Sequence, residues 1–120
     1  MTRRAASNPA KHRNAGSRTA ARAARGIGPE EWRARVELAA AYRLTALMGW
    51  TDMLGTHISC RVPGTHDQFL INPYGLLFEE MTASDLIKCD IEGAKLSESP
   101  YEVNSAGFTI HSAIHMNCPG

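Results

Sequence analysis

An α/β fold is predicted for this 120-residue chain by three observations. A helical apolar pattern opens at Gly28-Pro29 and fades near Met48. Two short strand-like runs, His57–Val62 and Gln68–Asn72, then flank a loop containing Pro63-Gly64, as in a hairpin. Beyond a third strand-like run, a second helix is predicted from about Asn104 to Met116. Helix, hairpin, strand and helix follow one another in a chain with room for one domain of ordinary size.

Residues 1–28 are rich in Ala, Arg, Ser, Asn and Gly and nearly free of large apolar side chains, so they are expected to be disordered. Pro29, Glu30 and Glu31 suit a first helical turn, where proline loses no hydrogen bond and acids meet the positive end of the macrodipole. Trp32, Val36, Ala39, Ala40, Tyr42, Leu44 and Leu47 are expected to form that helix's buried face. Gly49 and Gly55 bracket a short connection to the hairpin, and Asn72-Pro73-Tyr74-Gly75 forms a second turn at its exit. Thr82-Ala83-Ser84-Asp85 is expected to turn with Thr82 and Asp85 bonded reciprocally. Leu86–Asp90 reads as the third strand, closed by the turn Asp90–Gly93.

Charge is unevenly spread. Seven of the 13 basic residues precede Glu30 and no acid does, so the remaining six share the rest of the chain with all 12 acids. The N-terminal segment admits three readings: a solvated basic tail, a mitochondrial-type transit segment, or a nucleic-acid-binding arm. The last is the weakest, because no aromatic side chain is interleaved for stacking. No apolar run approaches the roughly 18 residues of a membrane helix. Cys60, Cys89 and Cys118 are odd in number and lack CxxC spacing, which suits reduced thiols in a cytoplasmic protein.

Candidate chemistry is sparse. His111 and His115 are four apart on the second predicted helix and share a face, a spacing compatible with a metal. Ser112 stands where a metalloprotease helix would carry Glu, and no third ligand accompanies the pair, so packing or surface exposure is the expected role. Asp85, Asp90, Glu79 and Glu80 lie near predicted turns and read as solvated. No Walker loop, GxGxxG run or nucleophile–base–orienter set is evident.

Four linked segments, LAAAYRLTALMGW, GTHISCRVPG, FLINPYGLLFEEMTASDLIKCDIEG and NSAGFTIHSAIHMNCP, resemble the class II aldolase/adducin family in order and spacing. The resemblance runs from about Trp32 to Pro119. It implies an incomplete three-layer α/β/α sandwich around a central, mostly antiparallel sheet. It also implies that the family's sugar-phosphate aldolases use zinc as a Lewis acid on an enediolate, held by a His-x-His pair after the second helix and a later His. Met116–Gly120 stands where the family shows Arg-Pro-Asp and then those histidines, so no metal ligand is expected here; His111 and His115 match helix positions that do not bind zinc.

The resemblance places substrate-binding positions at Thr56, His57, Tyr74, Gly75 and Ser105. His57 replaces an Asn of the family's first phosphate loop, and Tyr74 replaces a hydroxyl residue before Gly75. Ser105 survives from a Ser-Ser-Glu run whose acid/base Glu has become Gly107, which is the pattern of the adducin-like branch. Removing a proton-transfer group costs about 10²–10⁴ in rate, so no catalytic residue is expected. Two functions remain: a binding or assembly module, or a zinc-dependent lyase on small hydroxylated or phosphorylated carbonyl compounds once further residues complete the domain. A homo-oligomer and a small-molecule ligand are the partners implied. Half a domain would leave a sheet edge unpaired and an apolar face uncovered, so marginal stability is expected.

Overall fold

The structure, a computed structural model, describes residues 25–118. The disordered tail expected over 1–28 therefore lies outside the described residues up to position 24. Helix α1 spans Pro29–Leu47, strand β1 Ser59–Arg61, strand β2 Gln68–Ile71, strand β3 Ile87–Asp90 and helix α2 Ser105–Asn117. A single 3-10 turn, Phe78–Glu80, which the sequence pattern did not suggest, separates β2 from β3.

The three strands form one antiparallel sheet in the order β1-β2-β3, with Cys60 opposite Leu70 and Phe69 opposite Cys89. The hairpin is shorter than its apolar pattern, because His57 and Ile58 lie outside the ladder. Its loop places Pro63 before Gly64 at φ +79°, the order of a type II turn, and the Thr65 N–H closes it on the Val62 carbonyl at 3.1 Å. At β3 the chain folds back on itself. Asp90 Oδ1 accepts from the N–H groups of Glu92, Gly93 and Ala94, and the Leu96 N–H reaches the Lys88 carbonyl at 2.7 Å, covering that outer edge.

Side chains alternate across the sheet, and each face finds its own helix. Leu70 joins Ala34, Leu38 and Tyr42 of α1, together with Val62, Phe78, Met81 and Leu86. Phe69, Ile71, Ile87 and Cys89 point the other way and meet Phe108 of α2. Helix, sheet and helix thus make three layers. The expected α/β/α arrangement with an antiparallel sheet is what this part of the chain forms.

Helix α1 starts as its sequence suggests, with Pro29 in the first turn and Glu30 and Glu31 beside it. Its buried face is the expected one only at Ala39 and Tyr42, and Trp32 is half-buried. Glu31, Ala34, Arg35, Leu38, Ala39 and Tyr42 face inward, whereas Val36, Ala40, Leu44 and Leu47 are exposed. The inward stripe keeps helical periodicity only if two charged residues are admitted to it. They are admitted because they neutralise each other. Arg35 Nε meets Glu31 Oε1 at 2.9 Å, Lys88 Nζ meets Glu31 Oε2 at 2.9 Å, and an Arg35 Nη1 N–H donates to the Leu86 carbonyl at 2.7 Å. Burial works against the Glu31 carboxylate, but the hydrogen bonds from Lys88 and Arg35 outweigh it and hold its pKa below the usual value.

The reciprocal Thr82–Asp85 turn is present: the Thr82 N–H and hydroxyl both donate to Asp85 Oδ2, at 2.9 and 2.6 Å. Apolar surface remains uncovered among the described residues. Leu47, Trp50 and Met53 at the end of α1 and Ile110, Ile114 and Met116 on α2 are all more than half exposed or close to it.

Candidate functional site

The antiparallel register decides which turns are neighbours. Ser59 pairs with Ile71, so the residues before β1 (Thr56, His57) and those after β2 (Asn72 to Gly75) emerge at the same end of the sheet. Tyr42, wholly buried, ties them together: its hydroxyl donates to the Ile58 carbonyl and also meets Asn72 Oδ1 at 3.2 Å. Burial pushes the Tyr42 phenol pKa well above its ordinary value, so it remains a donor at any physiological pH. The Tyr74 N–H then donates to the Glu102 carbonyl at 2.8 Å, fastening this end to the segment that enters α2.

Helix α2 begins at the same place. Asn104 caps it, accepting from the N–H groups of Ala106 and Gly107 at 3.0 and 3.2 Å. Gly107 is buried against the His57 ring: a Cβ built there would lie 2.9 Å from His57 Cδ2 and 3.2 Å from Cγ. Ser105, two residues earlier, is exposed. All five positions singled out by the resemblance therefore sit at one end of the sheet, though in different settings. Thr56 Oγ1 accepts from the Asp52 N–H at 2.6 Å, Gly75 takes φ +107°, and Tyr74 is half exposed.

Deeper along the β1–α2 contact lies a polar chain that no local signal announced. His57 Nδ1 is 2.7 Å from His111 Nε2, Ser59 Oγ is 2.5 Å from His111 Nδ1, and the same Oγ is 2.8 Å from His115 Nε2. The His115 ring stacks on Phe69 with centroids 4.9 Å apart. Arg61 closes the row, donating from Nη2 to the carbonyls of His115 and Cys118 at 2.6 and 2.9 Å, where the negative end of the macrodipole favours a cation. Burial lowers the pKa of His111, reinforced by His57 and His115; burial also lowers that of His115, reinforced by Arg61. The two helix histidines are thus half-buried, with their ring nitrogens turned on His57 and Ser59.

Zinc, implied by the resemblance for the family's aldolases, needs three ligands directed at one point. Among the described residues no three His, Cys, Asp or Glu side chains are arranged to hold a metal ion. The imidazoles here turn their nitrogens on each other and on Ser59 instead. These residues do not fit zinc.

The close approach of Gly107 to His57 yields a first prediction. Gly107→Ala gains up to about 1 kcal/mol of helix propensity but drives a methyl into the ring, and overpacking costs about 1–3 kcal/mol. Urea denaturation should show a net loss that His57→Ala, added to the same protein, largely restores. An unchanged midpoint in Gly107→Ala alone would mean the ring does not fill that space.

The site thus lies in a three-layer unit, at the end of the sheet where the segment entering β1, the turn leaving β2 and the N-terminus of α2 come together. A family model for the Class II Aldolase and Adducin N-terminal domain matches residues 36–120, and the chain belongs to this family. A Pseudomonas aeruginosa protein that carries an aldolase class 2 name is 62% identical over 89 residues, covering 74% of this chain and 34% of that protein. Rattus norvegicus alpha-adducin is 45% identical over 87 residues, 71% of this chain and 12% of the adducin. Among solved structures, an aldolase II superfamily protein from Pseudomonas syringae matches with TM-score 0.74 and 53% identity, over 78% of this chain and 38% of that one. L-fuculose 1-phosphate aldolase from Glaciozyma antarctica matches with TM-score 0.70 and 39% identity, over 75% of this chain and 37% of that enzyme. The chain spans about a third of the bacterial relative's length and still less of the adducin's.

Proposed function

We propose that this chain is a binding or assembly module built on the class II aldolase/adducin fold, without acid/base catalysis of its own. One observation carries the reading: the space a side chain at position 107 would occupy is filled by the His57 imidazole, so a carboxylate cannot be accommodated there while His57 holds its place. Two departures from the aldolase pattern, Gly107 for Glu and His57 for Asn, are thereby one structural change. The glycine leaves the space that the imidazole fills. Identity to alpha-adducin at 45% supports the same side. Thr56, Tyr74, Gly75 and Ser105 then form a surface for a small polar ligand or a second copy of the chain, with His57 as its floor.

A second reading is favoured by the likeness to L-fuculose 1-phosphate aldolase. In it, the same residues supply part of a substrate cradle, and a zinc site comes from residues beyond those described. A protein in which this chain is continued to the length of the bacterial relative, incubated with L-fuculose 1-phosphate with and without added zinc, is expected to release no aldehyde above the buffer rate. Zinc-dependent release that Ser105→Ala abolishes would overturn the module reading and leave the aldolase reading standing.

A further inference from the structure

Helix α2 has 13 residues, about the length at which an isolated helix is marginal in water, so its order depends on docking. What it docks with is unusual. Beside the Phe69–Phe108 stack, the contact is made by the His57–His111–Ser59–His115 chain, and none of these histidines meets a carboxylate in an ion pair among the described residues. The groups facing the chain are the histidines themselves, the Arg61 guanidinium from β1 and the apolar Phe69 from β2.

Proton counting shows what such a chain tolerates. Three links join four side chains, and each link needs one hydrogen. With all imidazoles neutral, the protons can run one way: His115 Nε2–H to Ser59, the Ser59 hydroxyl to His111 Nδ1, and His111 Nε2–H to His57 Nδ1. They can equally run the other way, from His57 Nδ1–H to His111 Nε2, His111 Nδ1–H to Ser59, and the Ser59 hydroxyl to His115 Nε2. Both arrangements satisfy every link. One extra proton is also tolerated, because a doubly protonated His111 donates outward in both directions. A second is not. On His57 it sets two N–H groups against each other across 2.7 Å; on His115 it leaves the Ser59 hydroxyl without an acceptor. Either way two cations stand in a row that ends at Arg61.

We propose that the His57–His111–Ser59–His115 chain is a pH-operated latch: it holds α2 on the sheet while the imidazoles are neutral and releases the helix when a second proton enters. Release uncovers Phe69, Ile71, Ile87 and Cys89, the apolar layer beneath α2. Histidines whose folded pKa lies below the unfolded value stabilise the folded form fully above the unfolded pKa, 6.5, and that contribution is lost as pH falls through the folded value. The latch therefore opens on acidification.

Hydrogen exchange of the full chain, corrected for intrinsic chemistry, tests this at pH 7 and pH 5. Amides within α2 are expected to lose protection by at least about tenfold on acidification, while α1 amides keep theirs. The double variant His111→Gln/His115→Gln should lose this pH dependence. In Ser59→Ala, which keeps all three histidines, α2 should exchange at pH 7 nearly as fast as the wild type does at pH 5. Equal pH dependence in wild type and double variant would overturn the latch. So would wild-type protection in Ser59→Ala, or loss of α1 and α2 protection together.

Discussion

Arg35→Ala is expected to lower folding stability by about 3–5 kcal/mol, the cost of stranding one member of a buried ion pair. Arg35 is only 2% exposed, and its guanidinium serves α1 and the β3 approach at once. It neutralises Glu31 and donates to the carbonyls of Leu86 and Ala83. Lys88, partly exposed, remains beside Glu31 in the variant but cannot reach both demands. Since a domain is stable by only about 5–15 kcal/mol, urea denaturation should find the variant largely unfolded or close to it. A companion change separates charge from packing. Arg35→Met with Glu31→Leu should recover much of the loss, because an apolar pair of similar volume needs no desolvation. The acid limb should change too. Glu31 has a lowered folded pKa, so its contribution is present above the unfolded value of 4.5 and is lost as pH falls through the folded one. Arg35→Ala removes one cause of that lowering and should flatten the fall. A loss of less than about 1 kcal/mol would show that the pair can be dispensed with.

Phe69→Ala should be comparably severe, at about 3–5 kcal/mol for an aromatic side chain removed from a core. Phe69 is fully buried and stacks on Phe108 with centroids 5.9 Å apart as well as on His115. Its deletion opens a cavity beneath α2 and removes the apolar half of that helix's docking. Circular dichroism should register lost helicity beyond what the stability change alone predicts, because α2 is too short to persist undocked. A variant that retains full helicity at its lower midpoint would show that α2 is held by the polar chain alone. Leu70→Ala, on the opposite face of the same strand, provides the comparison, since it packs under α1 and should leave α2 in place.

Element positions were legible because their signals are local. Pro29 with Glu30 and Glu31 opens α1, Pro63-Gly64 turns the hairpin, Asp90 with Gly93 turns after β3, and Asn104 caps α2. Each acts through neighbours a few residues away, and each is where its residue type suggests. The inward face of α1 was not legible. Val36, Leu44 and Leu47 outweigh Glu31 and Arg35 on any hydropathy count, and the partners that admit the two charges, Lys88 for Glu31 and the Leu86 carbonyl for Arg35, lie more than 50 residues along the chain. The 3-10 turn at Phe78–Glu80 escaped for a related reason: Phe78 is buried against Tyr42, a tertiary contact that pins an otherwise ambiguous apolar run.

The candidate site divides in the same way. Family membership, and the positions of Thr56, His57, Tyr74, Gly75 and Ser105 within it, follow from segments of sequence in a fixed order. That His57 occupies the space of a residue-107 side chain does not, because the two are brought together only when α2 packs on the sheet. Nor does the pairing of His57 with His111, 54 positions apart, through which two helix histidines become part of an interior chain rather than a surface pair. By itself, then, the sequence determined the family, the order of elements and their ends, all of which rest on short-range backbone chemistry. Which charged residues are buried, which helix face is wet and what the histidines touch were decided by the tertiary structure alone, because burial and pairing depend on partners that only folding brings within a few ångströms.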